Sequence, residues 1–218
     1  MILVKPSYKI EGIYGDAEVI EKAGRVCYKT EDKMTHESSD KFLRKIIGSG
    51  HHSVLEHSAM SVRFICDRGV THELVRHRLC AFSQESTRYC NYKGGVTFVI
   101  PPWVNIEPGE YTSRPISGVH PNTAFWYWAM IDAELKYIQL LSDRDTQPHW
   151  SPQQARSVLP NSTKTEIVTT ANFREWRHIF TLRCAKAAHP QMRELIIPLL
   201  EECKKLLPVI FEDITYEK

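Results

Sequence analysis

The sequence predicts an α/β (α+β) fold: one domain over residues 1–218, with a mixed, largely antiparallel sheet packed against long helices. Three observations carry this expectation. The chain has 218 residues, 42% of them apolar, enough to bury a single core. Residues 58–66 alternate, with Met60, Val62 and Phe64 on one face and Ser61 and Arg63 on the other, the period of a half-buried strand. Residues 122–141 place Ala124, Trp128, Ile131, Leu135, Ile138 and Leu141 three or four apart, the period of a long helix.

In chain order, residues 1–5 read as a strand and 16–29 as a helix, capped by Asp16, with Val19, Ile20, Ala23, Val26 and Cys27 inward. A second helix begins at Ser38 or Ser39 and ends at Gly48 or Gly50, with Phe42, Leu43, Ile46 and Ile47 inward. After the strand at 58–66, residues 69–79 read as a helix, residues 83–87 as the polar loop that breaks it, and 88–92 as a short extended segment. A strand is expected at 96–100. Residues 101–121 carry five prolines and two glycines without a period, and so read as a surface loop. Beyond the long helix, Phe125, Trp126 and Tyr127 fall outside its apolar stripe, which implies a second buried surface, a subunit contact. A short helix over 152–160, a strand over 166–171, and helices over 172–188 and 191–207 complete the chain. The last two turn Phe173, Trp176, Phe180 and Cys184, and Leu195, Leu199 and Cys203, inward.

The formal net charge is +2, too small for a global field that attracts nucleic acid. The six cysteines form no C-x-x-C pair and no zinc-ribbon spacing, which points to reduced thiols and a cytoplasmic location. The apolar start, Met1 to Val4, meets Lys5-Pro6 too early for a signal peptide, and no run is long enough for a membrane span.

Chemistry concentrates between Arg76 and Tyr92. Arg76, Arg78 and Arg88 are expected to converge on one turn beside Ser86, Gln84 and Tyr89, with only Glu73 and Glu85 to balance them. That mixture suits a phosphate and a heterocycle together. His51, His52, His57 and Glu56 lie within one short stretch, but neither His-Glu pair in the chain continues to H-E-x-x-H. Capping and hydrogen bonding therefore outweigh a metal there. There is no G-x-G-x-x-G and no P-loop, so any phosphate falls to side chains such as the arginines at 76, 78, 88, 156, 174 and 183. Arg183 emerges one helical turn from Ile179 and Phe180, where a guanidinium is costly unless an anion or several acceptors meet it.

The run Arg76-His77-Arg78, then Ser86, then Arg88-Tyr89, closely resembles the signature of the flavin-dependent thymidylate synthases. Three further stretches resemble that family: Gly50 to His57 (G-H-x-[ST]-x-x-E-H), Gln153 to Pro160 (Q-x-A-R-x-x-L-P), and Asn172, Arg174 and His178. The resemblance, which covers about His51 to His189, implies conversion of dUMP to dTMP, with methylenetetrahydrofolate as carbon donor and NADPH as reductant through bound FAD. It implies an α/β fold and a homotetramer with sites at subunit interfaces.

Residue by residue, it implies that Ser53, Arg76, His77, Arg78, Gln84, Asn172, Phe173, Arg174 and His178 meet the flavin. His51 would line the flavin and substrate cavity. Glu73, Leu74, Val75, Arg76, Gln84, Glu85, Ser86, Thr87, Arg88, Arg156 and Arg183 would meet dUMP, and Arg183 would act catalytically on the uracil ring. No metal, nucleic acid or membrane is implied. Ser83 and Gln84 stand where many members have asparagine and glutamate, so a carboxylate role does not carry over to position 84. A rival reading is a non-catalytic RNA- or nucleotide-binding domain that stacks bases on Tyr89, Tyr92 and Trp103.

Overall fold

Residues 1–112, 114–142 and 149–217 are described by a computed structural model. They form a mixed α/β fold with two sheets in place of the single sheet expected: one ordered β5 (Thr97–Val99), β1 (Ile2–Val4), β6 (Gly109–Glu110), the other β2 (Ser7–Tyr14), β3 (Ala59–Asp67), β7 (Lys164–Asn172), β4 (Ala81–Gln84). The chain groups into two compact units of three stretches each. The first comprises Met1–Ser7, Ile65–Glu73 and Ser83–Ile167, and the second Tyr8–Phe64, Leu74–Phe82 and Val168–Lys218.

In the first unit, β1 (Ile2–Val4) pairs in parallel with β5 (Thr97–Val99) and antiparallel with β6 (Gly109–Glu110), with Leu3 opposite both Phe98 and Gly109. The region 101–121 is thus more than a surface loop: it supplies β6, and Val104 and Ile106 are buried. Ser113, within it, lies outside the described residues. The helix α4 (Pro121–Leu141) starts where Pro121 presets the first turn and the His120 ring accepts from Asn122 N–H at 3.2 Å.

The buried face of α4 is rotated from the expected stripe. Thr123, Tyr127, Met130, Ile131, Glu134 and Tyr137 face inward, whereas Trp128 and Leu135 are exposed. The cause is polar side chains that carry their own partners. Tyr127 donates to the carbonyls of Thr112 and Arg114, Glu134 accepts from Val96 N–H at 2.8 Å, and Tyr137 accepts from Tyr92 N–H. Counting apolar letters scores such residues as outward, yet once hydrogen-bonded they bury at little cost. Tyr127 therefore belongs to its own unit's core, while Phe125 stays exposed. A short helix, α5 (Pro152–Ala155), is closed by a capping box between Ser151 and Gln154 and runs into a 3₁₀ turn at Arg156–Val158.

In the second unit, α1 (Ala17–Tyr28) is capped by Asp16, which accepts from Val19 N–H at 2.9 Å. Its inner face is Ile20, Glu21, Gly24 and Arg25, and Val19 and Val26 are exposed, against expectation. The same cause operates. Arg25 donates to Glu21 at 2.7 Å and stacks on Phe42, so a charged pair occupies the inner stripe. The expected face of α2 (Ser38–Gly48) holds for Leu43, Ile46 and Ile47.

The strand β2 (Ser7–Tyr14) went unread, although Tyr8 and Ile10 alternate with Lys9 and Glu11. In β3 (Ala59–Asp67), Met60, Val62, Phe64 and Cys66 are fully buried. The strand β7 (Lys164–Asn172) leads directly into α6 (Phe173–Arg183), whose first turn Asn172 caps by accepting from Glu175 N–H at 2.9 Å. Trp176 donates to the Met60 carbonyl at 2.9 Å inside a cluster with Phe64, Phe180 and Phe211. The helices α7 (Pro190–Leu206) and α8 (Pro208–Phe211) close the unit. Arg177 holds α6 to the end of the chain, donating to both Asp213 carboxylate oxygens at 2.6 Å and to the Ile210 carbonyl.

Candidate functional site

The chemistry-bearing segment follows α3 (Arg68–Leu74), where Val70 N–H is received by Asp67 at 2.8 Å. This helix ends five residues earlier than its spacing predicts. Val75, which the spacing of Val70 and Leu74 puts on one apolar side, is exposed, as is Leu79, so no apolar buried face draws the helix onward. Two tight turns follow instead, from His77 N–H to the Leu74 carbonyl and from Cys80 N–H to the His77 carbonyl. They put Arg76 and Arg78 in solvent on either side of a buried His77. Ala81–Gln84 then forms β4, so the expected loop begins as a strand, and 87–89 is a turn where an extended segment was expected. Arg76 and Arg78 belong to the second unit, and Arg88, like Arg156, to the first.

In the second unit, His77 Nε2 accepts from Arg183 Nε at 3.0 Å, and its Nδ1 lies 3.4 Å from a carboxylate oxygen of Glu175. The His178 ring stands edge-on, 5.6 Å away between centroids. Burial, then the charges of Arg183 and His178, push the His77 pKa down to about 4, so the ring is neutral at neutral pH. A guanidinium can only donate, which makes Nε2 the acceptor and places the proton on Nδ1. His77, Glu175 and His178 bring potential metal-ligand atoms within 4.8 Å of one another. As arranged, however, neither nitrogen of His77 keeps a lone pair for a cation.

Beside this group lies a cavity of about 710 Å³ lined by His52, Glu56, Leu79, Asn172, Arg174 and His178, among others. Arg174 pairs with Glu56 at 2.5 Å. Ser53 is exposed on the 3₁₀ turn His52–His57, and His51 bonds Tyr28 at 3.2 Å. Phe173 and Leu74 are fully buried in the core. The cavity's donors, Arg174, His178 and the Asn172 amide among them, suit a flavin, whose phosphate is negative and whose ring is edged with acceptors.

In the first unit, the Gln84 side-chain amide donates to Thr71 Oγ1 at 3.0 Å and Thr165 Oγ1 at 3.3 Å, so its oxygen remains the acceptor it can offer. Glu85 accepts from the Tyr92 hydroxyl at 2.5 Å and from Lys164 Nζ at 3.1 Å. Lys164 also donates to Glu166 at 2.6 Å. Burial lowers the Lys164 pKa, but bonds to Glu166 and Glu85 outweigh it, and the result is raised. Burial, then Glu85, pushes the Tyr92 hydroxyl well up. Arg156 donates to the buried Thr87 hydroxyl at 3.2 Å, and Arg88 stacks over Tyr89 at 5.4 Å. Ser86 holds the turn, its hydroxyl accepting from Arg88 N–H at 3.3 Å. Glu73, half-buried, belongs to this unit as well.

Sequence reasoning missed Glu175, Lys164 and Thr71. Glu175 and His178 stand three apart on a helix and Lys164 and Glu166 two apart on a strand, both spacings that share a face. Thr71 left no signal.

The thymidylate synthase complementing protein family model matches residues 10–209. The chain is 35% identical over 208 residues to a flavin-dependent thymidylate synthase of Corynebacterium efficiens, covering 94% of this chain and 82% of that one. It is 34% identical over 210 residues, with the same coverage, to that of Corynebacterium diphtheriae. A UMP/dUMP methylase, PolB of Streptomyces cacaoi bound with 5-Br dUMP, has a similar fold, with TM-score 0.77, 26% identity, and coverage of 97% of this chain and 96% of that one. A family match over most of the chain, on residues that include the whole RHR segment, makes this chain a member of the thymidylate synthase complementing protein family, that of the flavin-dependent thymidylate synthases.

Proposed function

We propose that this protein converts dUMP to dTMP by reductive methylation, with methylenetetrahydrofolate as carbon donor and NADPH as reductant, in a cytoplasmic homotetramer with sites at subunit interfaces. The observation that carries the reading is the RHR turn, in a chain of this family: a neutral, buried His77 bonded to Arg183, with Arg76 and Arg78 in solvent on either side. Bound FAD supplies the redox chemistry, carrying reducing equivalents from NADPH.

The chain's own residues supply position and charge. Ser53, Arg76, His77, Arg78, Asn172, Phe173, Arg174 and His178 hold the flavin. Arg88 and Arg156 clamp the 5′-phosphate, a charge-assisted contact that suits a guanidinium fork. Gln84, fixed by two threonine hydroxyls, presents its carbonyl oxygen to the donors of flavin or pyrimidine. Glu85, Ser86 and Thr87 shape the nucleotide site, and Glu73, Leu74 and Val75 border it. Arg183 keeps its charge at any ordinary pH and favours a uracil ring ionised at N3, which raises electron density at C5, where the new carbon attaches.

An anaerobic titration tests this. The purified protein is expected to be yellow, to bleach on addition of NADPH, and to form dTMP when dUMP and methylenetetrahydrofolate follow. A colourless protein that takes up no FAD, and binds oligonucleotides with a steep salt dependence, overturns it in favour of a nucleic-acid-binding domain.

A further inference from the structure

The Arg183–His77 contact has a third member. Glu175 is 6% exposed and sits in the first turn of α6, three residues after the capping Asn172. In a capping box such a glutamate turns back onto the cap residue's N–H. Here its carboxylate faces His77 Nδ1 at 3.4 Å. The groups around His77 are therefore Glu175 and His178 from α6, Arg183 from that helix's end, and Cys80 beside Glu175.

We propose that Glu175 is a positioning residue for Arg183: its carboxylate accepts the Nδ1 proton of His77, which keeps Nε2 an acceptor and fixes the direction of the Arg183 Nε–H. The steps are sequential. An imidazole has two neutral tautomers of similar energy in water, and the neighbouring acceptor selects one. The other tautomer would aim an N–H at the guanidinium, donor against donor, and Arg183 would have to swing away. With Nε–H donated to His77 Nε2, the guanidinium plane is tied to the imidazole, and a change in the ring's acceptor changes the direction of the whole fork. A carboxylate two residues removed in contact from the substrate thus sets the aim of the charge that meets it. The consequence for turnover rests on the dUMP-methylating reading; the tautomer does not.

The experiment uses the full-length, flavin-loaded protein with ¹⁵N-labelled histidine. His77 signals are assigned by comparison with His77→Gln, and turnover is measured with saturating and limiting dUMP. In the unsubstituted protein the His77 proton is expected on Nδ1; a proton on Nε2 overturns the proposal without any variant of Glu175. Glu175→Gln, which can still accept from Nδ1, is expected to keep the tautomer and to keep kcat within about twofold, whereas Glu175→Ala mixes the tautomers and lowers kcat about tenfold, the worth of one directed hydrogen bond. The dUMP KM should change less than kcat in Glu175→Ala. A folded Glu175→Ala protein with wild-type kcat overturns the proposal, as does an equal loss in the Gln and Ala variants. If even the unsubstituted protein forms no dTMP, the functional reading fails while the ¹⁵N measurement still decides the tautomer.

Discussion

Arg156 is exposed, yet its guanidinium donates at 3.2 Å to the hydroxyl of Thr87, which is only 4% exposed. A mobile surface cation is thereby given a fixed root, leaving its other N–H groups directed rather than free to wander. Each charge-assisted phosphate contact is worth about 1.5–3 kcal/mol, so Arg156→Ala or Arg88→Ala should weaken dUMP binding roughly ten- to a hundredfold. Titrations of dUMP and of uridine, which lacks the phosphate, check this. Equal losses for both ligands would show that these arginines are not the phosphate clamp. Thr87→Val should weaken dUMP alone, by about three- to tenfold.

Lys164 bridges Glu85 and Glu166 with its side chain 20% exposed and that of Glu85 17%. Lys164→Met removes the cation that bonds both Glu85 and Glu166 and should destabilise the protein by about 1–3 kcal/mol at neutral pH, read from urea unfolding. A raised lysine pKa contributes stability that is complete below the unfolded value and lost as pH rises through the folded one. The raised Tyr92 hydroxyl works in the same direction. Stability should therefore fall above roughly pH 10, and less steeply in Lys164→Met.

His77 has the opposite sign. Its pKa is pushed down to about 4 by burial and then by Arg183 and His178, so the folded protein resists a proton that the unfolded chain accepts below about pH 6.5. Stability from this group is complete above that value, falls as pH drops, and levels off near the folded pKa. The loss is on the order of 3 kcal/mol across the window. Unfolding curves at intervals between neutral and acid pH should show that slope, and His77→Gln should flatten it. An unchanged slope in the variant would assign the acid sensitivity to another group.

Cys80 stands two residues beyond the RHR run, but burial and then Glu175 push its thiol up to about 12. Such a thiol has almost no thiolate at neutral pH and is a poor nucleophile. Cys80→Ala, and likewise Cys90→Ala, should keep dTMP formation within about tenfold, roughly 1.4 kcal/mol of barrier. A loss of several thousandfold with flavin still bound would restore a cysteine mechanism.

The proposed tetramer needs a surface, and α4 offers Phe125, Trp128 and Leu135, which are 72%, 39% and 43% exposed. Charging it by Phe125→Asp with Trp128→Asp should dissociate the assembly in light scattering while the circular dichroism spectrum stays native. An unchanged mass would place the interface elsewhere.

Existence and order of most elements were legible because period and punctuation are local. Asp16, Pro121 and Asn172 mark helix starts through bonds to their own next turn. Faces were less legible. The stripes of α1 and α4 were misphased because Glu21, Arg25, Glu134 and Tyr137 bury polar atoms against partners that lie elsewhere in the chain or at the helix's inner side. The RHR segment was found by residue type, but its turns were not, since what stops α3 is the absence of a buried apolar face beyond Leu74. Glu175 and Lys164 escaped because a carboxylate or an amine becomes informative only when its partner is known, and those partners lie many residues away or on another element.

Each unit is stitched from three separate stretches, so the chain passes from one to the other five times, within β3, α3, β4 and β7 among other places. No pair of cuts in the gene can lift out either half intact. Recombination that exchanges a contiguous block with a relative would pair strands and helix turns of different ancestry inside one unit. Such a protein accommodates point substitution more readily than shuffling.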